Sequence, residues 1–404
     1  MAIGQISFPE MHVIQGVRLG TSNAGIKQTV RDDTLLFDMI ESGCCAAVFT
    51  QNAFCAAPVQ VAKAHLSQGP RWLLVNSGNA NAGTGKQGIQ DAFACCVAVA
   101  EQFEGLAQQV LPFSTGVIGE PLPVGKLVAA LPAAVDNLDE KHWEKAARAI
   151  MTTDTFPKGA SLVVDIGGQP VAITGISKGA GMIQPNMATM LGFIATDANI
   201  EPALLQQCLA EAAELSFNRI TVDGDTSTND ACVCLASGCS AAPQIVADSE
   251  NYAIFSAALR QVCKRLAELI IRDGEGATKL MRIVVEQAQS SAEALQVGKT
   301  IAHSPLVKTA FFASDPNWGR ILAAVGRAGV VNMDLDKVEI YLGNVCIVEN
   351  GARAASYTEQ DGQRVMRREE ITVTVRLGRG EVSVEVLTCD FSYDYVRINA
   401  EYRT

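Results

Sequence analysis

Thr189 follows the small Ala188 and opens the apolar run 190–195, and a loop with Gly179, Gly181 and Pro185 precedes it. A threonine at the sharp start of a buried strand, with a small residue before it, is placed for its hydroxyl to attack the preceding carbonyl. That N-to-O acyl shift gives an ester that water cleaves, leaving Thr189 as a new N-terminus. A free α-amine has a pKa near ~8, far below that of a lysine, and can serve as general base for the hydroxyl of its own residue. Nucleophile and base would then be one residue. On these cues alone the plainer reading is an ordinary β-branched strand residue.

The residues around Thr189 extend the pattern. The run KGAGMIQPNMATML, with Lys178, Gly179, Gly181, Met182, Ile183, Pro185, Asn186, Met187, Ala188, Thr189, Met190 and Leu191, resembles the self-cleavage segment of the ornithine acetyltransferase family, cut between the Ala and the Thr. Further segments resemble that family along most of the chain: NSGNANAGTG (76–85), STGVIGEPLP (114–123), MTTDTFPK (151–158), VDGDTSTND (222–230), DGEGATK (273–279), SPLVKTA (304–310), DPNWGRI (315–321) and the terminal NAEYRT. One departure is Ala313-Ser314 before Asp315, where the family pattern leads us to expect a glycine.

The resemblance implies a role for each matching position. Thr189 is the nucleophile. Thr115 and Gly116 form an oxyanion hole, a hydroxyl and a backbone N–H aimed at the charge that develops on the attacked carbonyl. Thr155, Lys178, Glu275, Asn399 and Thr404 bind substrate together with Thr189. A lysine beside the nucleophile suits a substrate carboxylate. Glu275, between two glycines, suits a substrate ammonium. The implied reaction is ping-pong: N-acetylornithine acetylates Thr189, ornithine leaves, and glutamate takes the acetyl group, a step in cyclic arginine biosynthesis. The resemblance implies no bound cofactor, with acetyl-CoA as a candidate second acetyl donor. It also implies two chains, 1–188 and 189–404, assembled as α2β2. Without it, Thr115-Gly116 is a plain turn, Thr155 a loop threonine, Lys178 a solvated lysine and Glu275 a helix-ending turn. An amidohydrolase or aminopeptidase of the same self-cleaving architecture, or a non-catalytic binding protein, are the other readings.

Other candidate chemistry fails on spacing. Gly83, Gly85 and Gly88 match G-x-G-x-x-G, yet the strand before them is expected to end near Asn76, and no acidic residue closes a second strand about 20 residues on. A phosphate loop ending at Gly85-Lys86 would need glycine at Ala80 and a hydroxyl at Gln87. Cys232, Cys234 and Cys239 lack paired C-x-x-C spacing, and His12, His65, His142 and His303 have no ligand-like neighbours, so no metal is expected. The 12 cysteines read as reduced, buried thiols. A net charge of -11, with the densest basic run only 364–368, argues against a nucleic-acid partner. No apolar stretch reaches the length of a membrane span, and the N-terminus has neither signal-peptide nor transit-peptide character, so a cytoplasmic location is expected.

The positioning elements follow from periodicity. Residues 59–64, 72–76, 161–166 and 171–176 are predicted as strands, the last two a hairpin around Gly167-Gly168. Helices are predicted at 91–106, 138–152, 202–217 and 252–272, with helical pattern again at 290–312. Residues 338–349 and 371–390 alternate as strands with a turn at 378–380. The expected fold class is α/β (α+β). A catalytic unit, 1–285, is followed by a smaller α+β domain, 286–404, and the resemblance implies an N-terminal-nucleophile-like αββα core for the first.

Overall fold

Alternating apolar side chains build two facing sheets in the larger of two units, residues 7–218 and 225–270. The computed structural model describes residues 3–27, 31–184 and 190–401. The larger unit contains β1 (Val17–Ser22), β2 (Thr34–Met39), β3 (Cys44–Phe49), α1 (Ala57–His65), β4 (Trp72–Asn79), α2 (Gly85–Gln102), β5 (Val110–Val117), α3 (Val124–Asp136) and α4 (Trp143–Ala149). It continues with β6 (Lys158–Ile166), β7 (Gln169–Lys178), β8 (Leu191–Thr196), α5 (Pro202–Glu214), β9 (Ala231–Ala236) and α6 (Glu250–Arg272). One sheet has the order β1-β2-β4-β5 and the other β3-β9-β8-β7-β6.

In the first sheet Leu35, Phe37, Leu73, Val75, Leu111 and Phe113 point inward, while Leu36, Trp72, Leu74 and Val110 point outward under α1, α2 and α3. The second sheet answers with Ile176, Leu191, Phe193, Val233 and Leu235 in the same core. Phe193 reaches across to Phe37 and Phe113, with ring centroids 5.2 and 5.3 Å apart. Its outer face carries α5, where Gln206 exchanges two 3.0 Å hydrogen bonds with the backbone of Ala47, and α6, whose Leu266 lies against Gly175. Helix, sheet, sheet, helix is the expected αββα order. β8 is the middle strand of its sheet, fully buried, antiparallel to β7 and parallel to β9.

The smaller unit takes the N-terminal residues through Ile6, Arg219–Gly224 and the chain from Ile271 on. Its elements are β10 (Leu280–Ala288), α7 (Ser291–Ala302), α8 (Pro305–Phe312), α9 (Trp318–Gly326), β11 (Glu339–Leu342), β12 (Val345–Glu349), β13 (Ala352–Arg353), α10 (Glu359–Met366), β14 (Glu370–Arg376), β15 (Val382–Cys389) and α11 (Tyr393–Ala400). The sheet order is β13-β12-β11-β14-β10-β15. Val297 and Ile301 of α7, Phe311 of α8, Ile321 of α9 and Val365 of α10 pack on Ile283, Val285, Val373, Val375 and Val386.

Three expectations differ from this structure. The boundary near 285 would cut β10, which pairs with β14 on one side and β15 on the other; the units divide at 270/271. Residues 59–64 are helical, because Pro58 sits in the first turn, where its missing N–H costs nothing, and Val59 and Ala62 share a buried face three residues apart. The helix expected over 138–152 is confined to α4.

Candidate active site

Thr115 and Gly116 are the end of a strand rather than a turn. Thr115 pairs with Ser77 and Gly116 with Gly78 in the parallel β4–β5 ladder, and at Asn79 the register slips so that it faces both Thr115 and Val117. Side-chain amides hold this irregularity. Asn76 Nδ2 donates to the Asn79 carbonyl at 2.8 Å, and the Ser114 hydroxyl donates to Asn76 Oδ1 at 2.6 Å. Asn79 Nδ2 donates to the carbonyls of Glu120 and Pro121, and the buried Asn229 Nδ2 to those of Ala80 and Ser114. Gly116 has φ +138°, and an added Cβ would lie 2.3 Å from the Gly78 carbonyl carbon. No other residue fits there.

Lys178, the last residue of β7, extends its ammonium to 3.4 Å from Thr115 Oγ1 and 4.0 Å from Asp154 Oδ2. Asp154 is buried. Its carboxylate accepts from Lys158 Nζ at 2.7 Å, from the Gly179 N–H at 2.7 Å and from the Thr152 N–H at 2.9 Å. Burial opposes its charge, but Lys158 and Lys178 outweigh that and hold the carboxyl well below the usual carboxylate range. Lys27 comes to the same place from the loop after β1, donating to the carbonyls of Met151 at 2.7 Å and Ala149 at 3.3 Å. Burial and Arg31 lower its ammonium to about 7, against Asp33 and Asp154. Lys158 and Lys178 thus flank one carboxylate, an excess of cation suited to carboxylate-bearing substrates, with Lys27 close by. Thr155 lies exposed beside Asp154.

Ala188, Thr189 and Thr404 lie outside the described residues. The chain on both sides of 185–189 is tied down: the Gln184 carbonyl accepts from the Thr226 hydroxyl at 3.3 Å, and the Met190 carbonyl accepts from the Ala231 N–H at 3.0 Å. In the smaller unit Glu275 is buried, and its carboxylate accepts from Asn399 Nδ2 of α11 at 2.8 Å. Gly276 makes this possible, with φ +68° and an added Cβ only 2.4 Å from the Tyr395 nitrogen.

Thr115, Gly116 and Lys178 therefore meet at one corner of the larger unit, with Thr155 on the adjoining loop. Glu275 and Asn399 meet within the smaller unit. Sequence reading passed over Lys27, Asp154, Lys158 and Asn229. Asp154 and Lys158 stand four apart with opposite charge, one in the loop before β6 and the other at the start of that strand, and this spacing is the one signal that marked them. Burial pushes the thiols of Cys95 and Cys208 up to about 12 and 11, so these are not competing nucleophiles.

Residues 18–404 match the ArgJ family. The chain belongs to that family. It is 64% identical over 391 residues to the arginine biosynthesis bifunctional protein ArgJ of Methylococcus capsulatus, covering 97% of this chain and 96% of that one. With the protein of the same name from Pseudomonas fluorescens it shares 54% identity over 405 residues, the full length of both. Among solved structures, the arginine biosynthesis bifunctional protein argJ of Bacillus halodurans is 40% identical with a TM-score of 0.51, covering 53% of this chain and 100% of that chain. The ArgJ assignment spans both units, from β1 to the end of α11.

Proposed function

We propose that the chain is an acyltransferase of arginine biosynthesis that moves the acetyl group of N-acetylornithine to glutamate through an acetyl-Thr189 ester. The family match across residues 18–404 carries this reading. Self-cleavage after Ala188 frees the Thr189 amine, which takes the proton of the Thr189 hydroxyl as its oxygen attacks the acetyl carbonyl. The tetrahedral oxyanion accepts from the Thr115 hydroxyl and the Gly116 N–H. The protonated amine then returns its proton to the departing ornithine nitrogen. Glutamate reverses these steps from the ester, its amine attacking and the Thr189 oxygen leaving. Lys178 pairs with a substrate carboxylate; Thr155, Glu275, Asn399 and Thr404 complete substrate binding.

Support for the cleavage comes from the Bacillus halodurans chain, which is matched over its entire length while spanning 53% of this one, the share that residues 189–404 make up. We place the two fragments together in an α2β2 assembly in the cytoplasm. No described helix is long and apolar enough to cross a membrane. The relatives are called bifunctional, and we assign acetyl-CoA as the second acetyl donor, with no bound cofactor.

The test is an acceptor assay on purified protein, with glutamate as acceptor and N-acetylornithine or acetyl-CoA as donor. N-acetylglutamate is expected from both donors, and from neither with Thr189→Ala. Release of free acetate without transfer would make the protein a hydrolase and overturn the assignment.

A further inference from the structure

Lys178 is the last residue of β7, between buried Ser177 and Gly179, and of the rotamers open to its four-carbon side chain only one matters for the oxyanion corner. An ammonium 3.4 Å from Thr115 Oγ1 donates to that oxygen. With its lone pair so engaged, the Thr115 hydroxyl is left to donate its own proton elsewhere, as an oxyanion donor must. What holds the ammonium there is Asp154, whose side chain is fully buried. One of its oxygens lies 4.0 Å from Lys178 Nζ, and the other accepts from the backbone N–H of the very next residue, Gly179, at 2.7 Å. Lys158, also fully buried, balances the charge and is 2.7 Å away. A lone carboxylate could not stay ionised in that place; the pair can.

We propose that Asp154 is the positioning residue of this site: through Lys178 it orients the Thr115 hydroxyl as an oxyanion donor, and through the Gly179 N–H it fixes the start of the loop leading to the scissile bond. The Lys178 half rests on the acetyl-transfer reading above; the Gly179 half rests on self-cleavage alone.

Asp154→Asn would take from the fully buried Lys158 the carboxylate 2.7 Å from its ammonium and confuse loss of fold with loss of function. The informative variant is Asp154→Asn/Lys158→Met, which removes both charges at nearly constant volume. Thermal midpoint, extent of self-cleavage, and kcat and KM for N-acetylornithine are measured for it beside wild type and Asp154→Asn. The double variant is expected to recover the midpoint lost in Asp154→Asn, while kcat stays at least tenfold low, KM for the donor rises and cleavage is slower. Recovery of midpoint, cleavage, kcat and KM together would make Asp154 purely structural and overturn the proposal. In a Thr115→Val background the same double change is expected to alter kcat less than about threefold, because the hydroxyl it acts through is gone; a full additional loss would overturn the link to Thr115. If the double variant does not fold, Asp154→Glu serves. It keeps the Lys158 pair but displaces the carboxylate by one methylene, and unchanged kcat and cleavage would refute the proposal. Wild-type transfer, assayed in parallel, tests the acetyltransferase assignment separately, and cleavage still decides the Gly179 half should that assignment fail.

Discussion

Gly116 concentrates the residue-scale argument, since both its φ of +138° and the 2.3 Å approach of Gly78 exclude a side chain. Gly116→Ala must push β4 and β5 apart at the N–H that we propose as an oxyanion donor. A lost oxyanion donor costs about 10²–10³ in kcat, and forced backbone at such a φ costs about 1–3 kcal/mol of stability. Gly119 is the comparator: its φ is also positive, at +87°, but an added Cβ meets nothing within 4 Å. Gly119→Ala is expected to lose some stability and keep kcat, whereas Gly116→Ala loses both, measured by steady-state assay and thermal unfolding. Equal kcat values for the two variants would refute the oxyanion role. Thr115, Gly116 and Lys178 were singled out from sequence because they sit in long segments that resemble the family, and the structure brings the three to one corner. Asp154 could not, because its meaning depends on Lys178, 24 positions away, and a carboxylate between threonines in a loop reads as solvated until burial is known.

At the scale of elements, periodicity told helix from strand wherever a segment was long. The hairpin at Gly167-Gly168 and α5, α6, β14 and β15 were legible for that reason. The stretch 59–64 was not, because six residues with alternating valines satisfy both periods, and only Pro58 favoured a helix. The register slip at Asn79 was invisible, being held by side-chain amides that reach the backbone from Asn76 and Asn229. The Ser314 departure has a physical account. Ser314 follows the α8 C-cap in the left-handed region, at φ +55°, with the Asp315 N–H bonded to the Ala310 carbonyl and its own N–H to that of Phe311, the ending that usually takes glycine. Here the serine hydroxyl accepts from the ammonium of buried Lys279, which also donates to the carbonyls of Phe311 and Met366 at 2.8 Å each. Ser314→Gly relieves about 1–2 kcal/mol of backbone strain while losing a charged hydrogen bond of about 1.5–3 kcal/mol, so a net loss near 1 kcal/mol is expected. Ser314→Ala keeps the strain and loses the bond, so it should be the worse of the two in urea unfolding. The reverse order would mean that the backbone at Ser314 carries no strain, and a Ser314→Gly protein at least as stable as wild type would mean that the Lys279 contact does not outweigh that strain.

For the whole molecule, the expected αββα core and smaller α+β unit are present, but the division lies before β10 and also draws Arg219–Gly224 into the smaller unit. Sequence pattern cannot reveal such an excursion, because a six-residue segment declares its allegiance only through pairings such as the Ile220–Leu387 bridge. The central claim concerns the chain as one working molecule: it cuts itself before Thr189, and the new terminus carries the acetyl group. β8 begins two residues later in the middle of its sheet, so the two pieces are expected to stay together after cleavage. Intact mass spectrometry of the purified protein, before and after N-acetylornithine and then glutamate, tests the claim directly. Two fragments are expected, residues 1–188 and 189–404, the second gaining the mass of one acetyl group with the donor and losing it with glutamate. A single uncut chain, or two fragments of which neither gains an acetyl group on Thr189, would contradict it.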